Sequence, residues 1–204
     1  MVSFLFILFS PIIGLVFLPL KKQHRNCFYG VSIALALTSI WLSFNCKLDT
    51  QLMYEPLYFD LIIDKYSKIF LVLISFTWLI SIIYSYEFTK YHFEKKKTEF
   101  FLYLNILLSV VMINASAGNL WTLFVFYVIG IPLTYPLIKI RGNVEAVASA
   151  KNFLIQTLLP SFLIFLPAII ITQDVLGGHG SFSNSITLGS SNINSALGGM
   201  LLCM

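Results

Sequence analysis

Hydrophobic residues in this chain come in long runs that are apolar on every side, not along one stripe or at alternate positions. The runs Ser3–Leu20, Phe28–Asn45, Ile69–Tyr86, Phe100–Asn114, Leu120–Ile138 and Asn152–Gln173 are each 15 to 22 residues long. A bilayer's hydrocarbon core takes about 20 residues of helix per crossing. Transmembrane strands would alternate polar and apolar over roughly 10 residues. The pattern therefore predicts an all-α, polytopic transmembrane helix bundle of six spans. The uncharged run Phe100–Ile138 has 39 residues, and as one helix it would be about 58 Å long, roughly twice the hydrocarbon thickness. It must fold back, and NASAGN, Asn114 to Asn119, is the expected turn, with local hydrogen-bonding groups and a permissive glycine.

Composition agrees with this picture: of 204 residues 58% are hydrophobic and 11% charged, against about 25% charged in a soluble domain. A net charge of +4 raises the question of nucleic acid or an acidic partner, and the placement of the basic residues answers it. They sit at the ends of the apolar runs. Lys21, Lys22 and Arg25, then Lys90, Lys95, Lys96 and Lys97, then Lys139, Arg141 and Lys151 fall in alternate loops, whereas Lys47, Lys65 and Lys68 fall on the opposite face. Basic loops stay on the cytoplasmic side, so the N-terminus is expected outside. Asp49, Glu55, Asp60, Asp64 and Asp174 lie on the expected outer face. The basic cluster KKQHRN follows the first run and does not precede it, so that run reads as a retained span and not a secretory signal. The chain divides into residues 1–68, an N-terminal helical hairpin and outer loop; 69–173, helices three to six; and 174–204, a Gly/Ser/Asn-rich outer loop ending in the expected start of a seventh helix at Ser195–Met204.

Several segments resemble the antiporter-like, proton-conducting membrane subunits of respiratory complex I and of the Mrp-type cation/proton antiporters. FDLIIDKYSKIF carries Asp64, Ser67 and Phe70 at the D-x-x-S-x-x-F spacing of the family's entry to the third span, and that span ends in YSYEF, where the family has a Tyr-Ser pair. NLWTLFVFYVIGIPLTYPLI, Asn119 to Ile138, is similar without a gap to the family's fifth-span pattern, and AVASAKNFLIQT is similar to its Ala-rich entry to the sixth, with Lys151 at the lysine position. The resemblance covers about Met1 to Gln173. It implies the leading helices and part of the first of two inverted repeats, an architecture recurrent in transporters.

The family's fifth span carries a glutamate paired with a lysine on the seventh. Here that position is Val128. A buried carboxylate can take and release a proton because desolvation and a nearby cation move its pKa; valine cannot. The partner lysine would lie beyond Met204, so the expectation is a truncated relative without the key pair. Lys151 is the remaining candidate in a proton path, against the simpler reading of a lysine that snorkels to the cytoplasmic edge. Pro132 and Pro136 each remove a backbone donor and free a carbonyl, either to line an ion path or, more commonly, to bend the helix for packing.

Other polar groups have commoner structural roles. HFEKKKTEF can dock on anionic headgroups or a neighbouring subunit, but basic loops of this kind mostly set topology. Asn105, Asn114, Gln156 and Thr157 can hydrate a channel or bond between helices, the latter being commoner. His24, His92 and His179 have no second ligand at metal spacing, and Cys27, Cys46 and Cys203 read as packing residues. No catalytic constellation, cofactor site, metal site or nucleic-acid element is expected. The expected function is that of a multi-pass subunit of a bacterial inner membrane, or less readily of an organellar one. It would be related to proton-translocating NADH dehydrogenase or a cation/proton antiporter, with the bilayer and other membrane subunits as partners. A non-transporting gene fragment or accessory membrane scaffold is the alternative.

Overall fold

Helices follow the apolar runs. A computed structural model describes residues 2–16, 25–46, 50–54, 59–92, 96–140 and 142–176. It contains α1 (Val2–Leu15), α2 (Arg25–Asn45), α3 (Lys65–His92), α4 (Lys97–Ala115), α5 (Leu120–Lys139), α6 (Val144–Pro160) and α7 (Leu166–Leu176), with a π-helical turn at Ser161–Phe165 joining the last two. The tail from residue 177, including the expected seventh-helix start, His179 and Cys203, lies outside the described residues, as do His24 and most of the KKQHRN cluster.

Among the described residues, five helices are long and apolar enough to cross a membrane: Phe28–Asn45, Lys65–Ser85, Thr98–Ala115, Leu120–Lys139 and Val144–Ile171. This is a membrane-protein fold of helices, as the sequence predicts. Of the first predicted span, Ser3–Leu20, the described part is a 14-residue apolar helix, and residues 17–20 lie outside the described residues. Two boundaries move, for a shared reason. The third helix, expected from Ile69, begins at Lys65 because Asp64 caps it, its Oδ1 accepting from the Ser67 backbone N–H at 2.6 Å. The sixth, expected from Asn152, begins at Val144, where Asn143 accepts from the Ala146 N–H at 3.3 Å. A cap starts a helix by satisfying a terminal N–H group, whatever the hydropathy of the following turn.

α1 packs on α2 and α4, α2 on α3, α4 on α5, and α5 on α6. The core lies among the first four helices and includes Phe4 and Leu8 of α1, Phe28 and Ala36 of α2, Leu71, Trp78 and Ile82 of α3, and Phe101 and Met112 of α4. On α3 the buried positions Leu71, Ser75, Trp78, Ile82 and Ser85 form one stripe at helical spacing, while Ile69, Phe70, Leu73, Phe76, Ile80 and Ile83 are exposed. A helix apolar on both faces but buried along one is a helix facing lipid. Because lipid is as apolar as a leucine side chain, close packing holds such helices together, and small residues favour it. Ser32, Ala36, Ser39 and Ser43 line the buried face of α2. The Ser39 and Ser43 hydroxyls donate to the carbonyls of Ala36 and Ser39 at 2.8 and 2.7 Å, so these hydroxyls bond within their own helix.

The expected outer loop contains a structure that the hydrophobic pattern did not predict. β1 (Thr50–Tyr54) and β2 (Phe59–Ile63) form an antiparallel pair, with Thr50 opposite Ile63 and Tyr54 opposite Phe59. The α4–α5 turn adds to its edge: the Ile62 N–H donates to the Ser116 carbonyl at 2.8 Å and the Gly118 N–H to the Asp60 carbonyl at 2.7 Å. Asp60 is buried, its backbone N–H donates to Thr122 Oγ1 at 3.0 Å, and its carboxylate accepts from Gln51 Nε2 at 3.0 Å. The hairpin thus fixes where the long apolar run reverses and α5 begins. Asn119 completes this corner by accepting from the Thr122 N–H at 2.6 Å. Asn119→Ala is expected to lower stability by about 1 kcal/mol, read as an earlier thermal midpoint in detergent, and Asn119→Asp to restore most of it.

Candidate functional site

α5, the helix that carries Val128, is held between α4 and α6. From its capped start it runs without interruption through Pro132 and Pro136 to Lys139. Pro132 has no N–H to offer the Val128 carbonyl, and Pro136 none to offer that of Pro132. Thr134 Oγ1 donates to the Ile131 carbonyl at 2.6 Å.

Val128 is half-buried near the middle of α5. By helical spacing it shares a face with Phe124 and Ile131, both buried. Phe124 meets Phe162 and Phe165 of the π turn edge-on, with centroids 5.9 and 5.5 Å away, and Tyr127 meets Phe165 at 6.1 Å. The π turn lies between Pro160 and Pro167, and Ser161 Oγ donates to the Thr157 carbonyl across its start at 2.6 Å. Single π turns inside helices often mark functional places; this one carries two aromatic rings that contact α5. Aromatic packing therefore occupies the face of α5 that carries Phe124.

A cavity of about 210 Å³ opens between α4, α5 and α6. Its polar lining is neutral: Asn114, Tyr127, Thr134 and Thr157, among valines, leucine, isoleucine and phenylalanine. Among the described residues the buried Oδ1 of Asn114 has no hydrogen-bond partner, nor has that of Asn105 about two and a half turns earlier, whose Nδ2 donates to the Phe101 carbonyl at 2.7 Å. A water or a neighbouring donor can satisfy such groups, and an amide can neither store nor release a proton as a carboxylate does.

Lys151 lies in the second turn of α6, on an exposed position beside buried Ala150. Phe153 and Thr157 turn toward the cavity, whereas Lys151 shares the exposed side with Ile155 and Leu159. Twenty residues of the 28-residue span, Asn152–Ile171, already match the hydrocarbon thickness, which puts Lys151 at its edge. The fold brings together Val128's helix, Asn114 and Thr157. It leaves Lys151 outside the residues that line the cavity. Gln156 is exposed. Cys46 is a free cysteine packed against the core.

Among the described residues no three His, Cys, Asp or Glu side chains converge as a metal site would require. No known family model matches the chain, and no curated protein sequence matches it.

Proposed function

We propose that this chain is a membrane subunit related to the antiporter-like subunits of proton-translocating NADH dehydrogenase and of cation/proton antiporters, and that it scaffolds helices in a larger complex without carrying protons itself. The observation that supports this reading is that Val128, at the position where the family carries its glutamate, shares a face of α5 with Phe124, whose ring meets Phe162 and Phe165 of the π turn, while the cavity described between α4, α5 and α6 has only neutral polar groups in its lining. The positions of the charged junctions fit the expected orientation, with the N-terminus outside. The hairpin and the α4–α5 turn share one end, and the α3–α4 and α5–α6 junctions share the other, where Lys96 Nζ lies 3.4 Å from the Ile140 carbonyl. A bacterial inner membrane is the proposed location.

Flux measurements in vesicles test the proposal. The chain alone is expected to move neither protons nor sodium. Val128→Glu is expected to add no flux, while lowering the inserted fraction, because a carboxylate at a span's centre costs about 2.5–3.5 kcal/mol on insertion scales. Ion-gradient-driven flux through the unmodified chain, abolished by an ionisable-residue substitution, would overturn it.

A further inference from the structure

A recess with charged residues in its lining lies away from Val128, where α4 begins and α5 ends. It has a volume of about 470 Å³ and is lined by Lys96, Glu99, Tyr103, Tyr135, Lys139 and the prolines Pro132 and Pro136, a size within the roughly 300–1,000 Å³ of small-molecule sites. Among the described residues, the partners of both ammonium groups are weak. Lys96 Nζ donates to the Ile140 carbonyl at 3.4 Å, the far limit for such a bond, and Lys139 Nζ stands 5.6 Å from the Tyr135 ring centre. The chain is shaped to leave the first of these room. Gly142, at φ +79°, closes α5 by donating its N–H to the Lys139 carbonyl at 2.9 Å, and a Cβ there would lie 3.4 Å from Lys96 Nζ. α4 also begins at this mouth without a side-chain cap, so its first N–H groups add positive potential.

The recess runs along α5 from Lys139 back to Pro132, seven residues or about 10 Å of helix. Lys139 and Thr98 bound two of the membrane-crossing helices, so the mouth is at headgroup level and the floor reaches toward the hydrocarbon. The mouth carries two positive charges and one negative charge. A ligand that fits has one net negative charge at one end and an apolar body at the other.

We propose that this recess binds an anionic phospholipid, with Lys96 and Lys139 holding the headgroup phosphate and the proline and tyrosine floor taking the glycerol end. Lys96 lies within the HFEKKKTEF segment, so the recess gives one lysine of that segment a defined partner, contributed by α5. The depth argues for a lipid and against free phosphate, which would leave the floor unfilled. Glu99 faces the same mouth and weakens the attraction, so its removal has the opposite effect to removal of a lysine.

The test is titration of the delipidated full chain in detergent with phosphatidylglycerol, phosphatidylcholine and inorganic phosphate, read by native mass spectrometry and by the shift in thermal midpoint. Phosphatidylglycerol is expected to bind about tenfold or more tighter than phosphatidylcholine. Lys96→Gln with Lys139→Gln is expected to weaken that affinity by about 25-fold, since each basic residue at an anionic surface contributes on the order of a fivefold factor. Glu99→Gln is expected to bind phosphatidylglycerol a few-fold tighter, a gain that misfolding does not produce. Lys151→Gln, which removes a charge outside the recess, is expected to bind as the unmodified chain does. The proposal is overturned by equal affinity for the two lipids, by a loss in Lys151→Gln matching that of the double variant, by no gain in Glu99→Gln, or by displacement of the lipid by millimolar phosphate.

Discussion

Phe101→Ala is expected to cost about 3–5 kcal/mol, as large-to-small changes at fully buried aromatic positions do. The Phe101 ring is 1% exposed, with edge-on neighbours in Phe28, Tyr29 and Phe100 at 5.4, 5.3 and 5.4 Å. It joins α2 to α4 at the centre of the core. In lipid the solvation part of the loss shrinks, because the hydrocarbon outside is also apolar. The cavity and the lost ring contacts remain. Phe76 provides the comparison: it is 54% exposed on the outer side of α3, and Phe76→Ala is expected to change stability by less than about 0.5 kcal/mol. Unfolding midpoints in nanodiscs check both, and equal effects would contradict the packing of the bundle.

Gly118→Val is expected to destabilise by about 1–3 kcal/mol or more, and to do so locally, at the corner where the chain reverses. A Cβ at Gly118 would lie 2.8 Å from Ile62 Cγ1 and 2.9 Å from both Cγ and Oδ2 of Asp60. To make room, β2 must move away and give up the 2.7 Å bond from the Gly118 N–H to the Asp60 carbonyl. Gly130→Ala is expected to change stability with the opposite sign. It lies within α5, its added Cβ would meet nothing closer than Val110 Cγ1 at 3.7 Å, and alanine is favoured over glycine inside a helix by up to about 1 kcal/mol. Thermal midpoints of the two variants, with protease sensitivity of the hairpin as a second reading, test the corner directly.

The spans were legible because a lipid-facing helix needs apolar residues all around, and that pattern survives without knowledge of neighbours. Helix ends were less so. Lys65, Lys68 and Lys151 lower the local hydropathy and hid the true starts of α3 and α6, although Asp64 with Ser67, and Asn143 followed by Glu145, were readable cap signals. The capping role of Asp64 also gives a physical reason for part of the D-x-x-S spacing. The hairpin is hidden in the sequence because FDLII runs straight into the apolar helix α3, and the NASAGN turn that bonds to its edge lies more than 50 residues later. Nothing in the local pattern distinguishes Val128, and the aromatic contacts of Phe124 on the same face come from the π turn between Pro160 and Pro167, which the hydrophobic pattern does not reveal. The recess at the basic end joins Lys96 to Lys139, which are far apart in sequence and meet because the chain folds back.

The central claim, a scaffolding subunit without a proton path of its own, is tested most directly by the company the chain keeps. Membranes that express it naturally, solubilised gently and separated on a native gel with detection through the Tyr91–Glu99 segment, are expected to show it in an assembly much heavier than the chain, together with other membrane subunits. Recovery solely as a free monomer under conditions that preserve known membrane complexes would contradict the account.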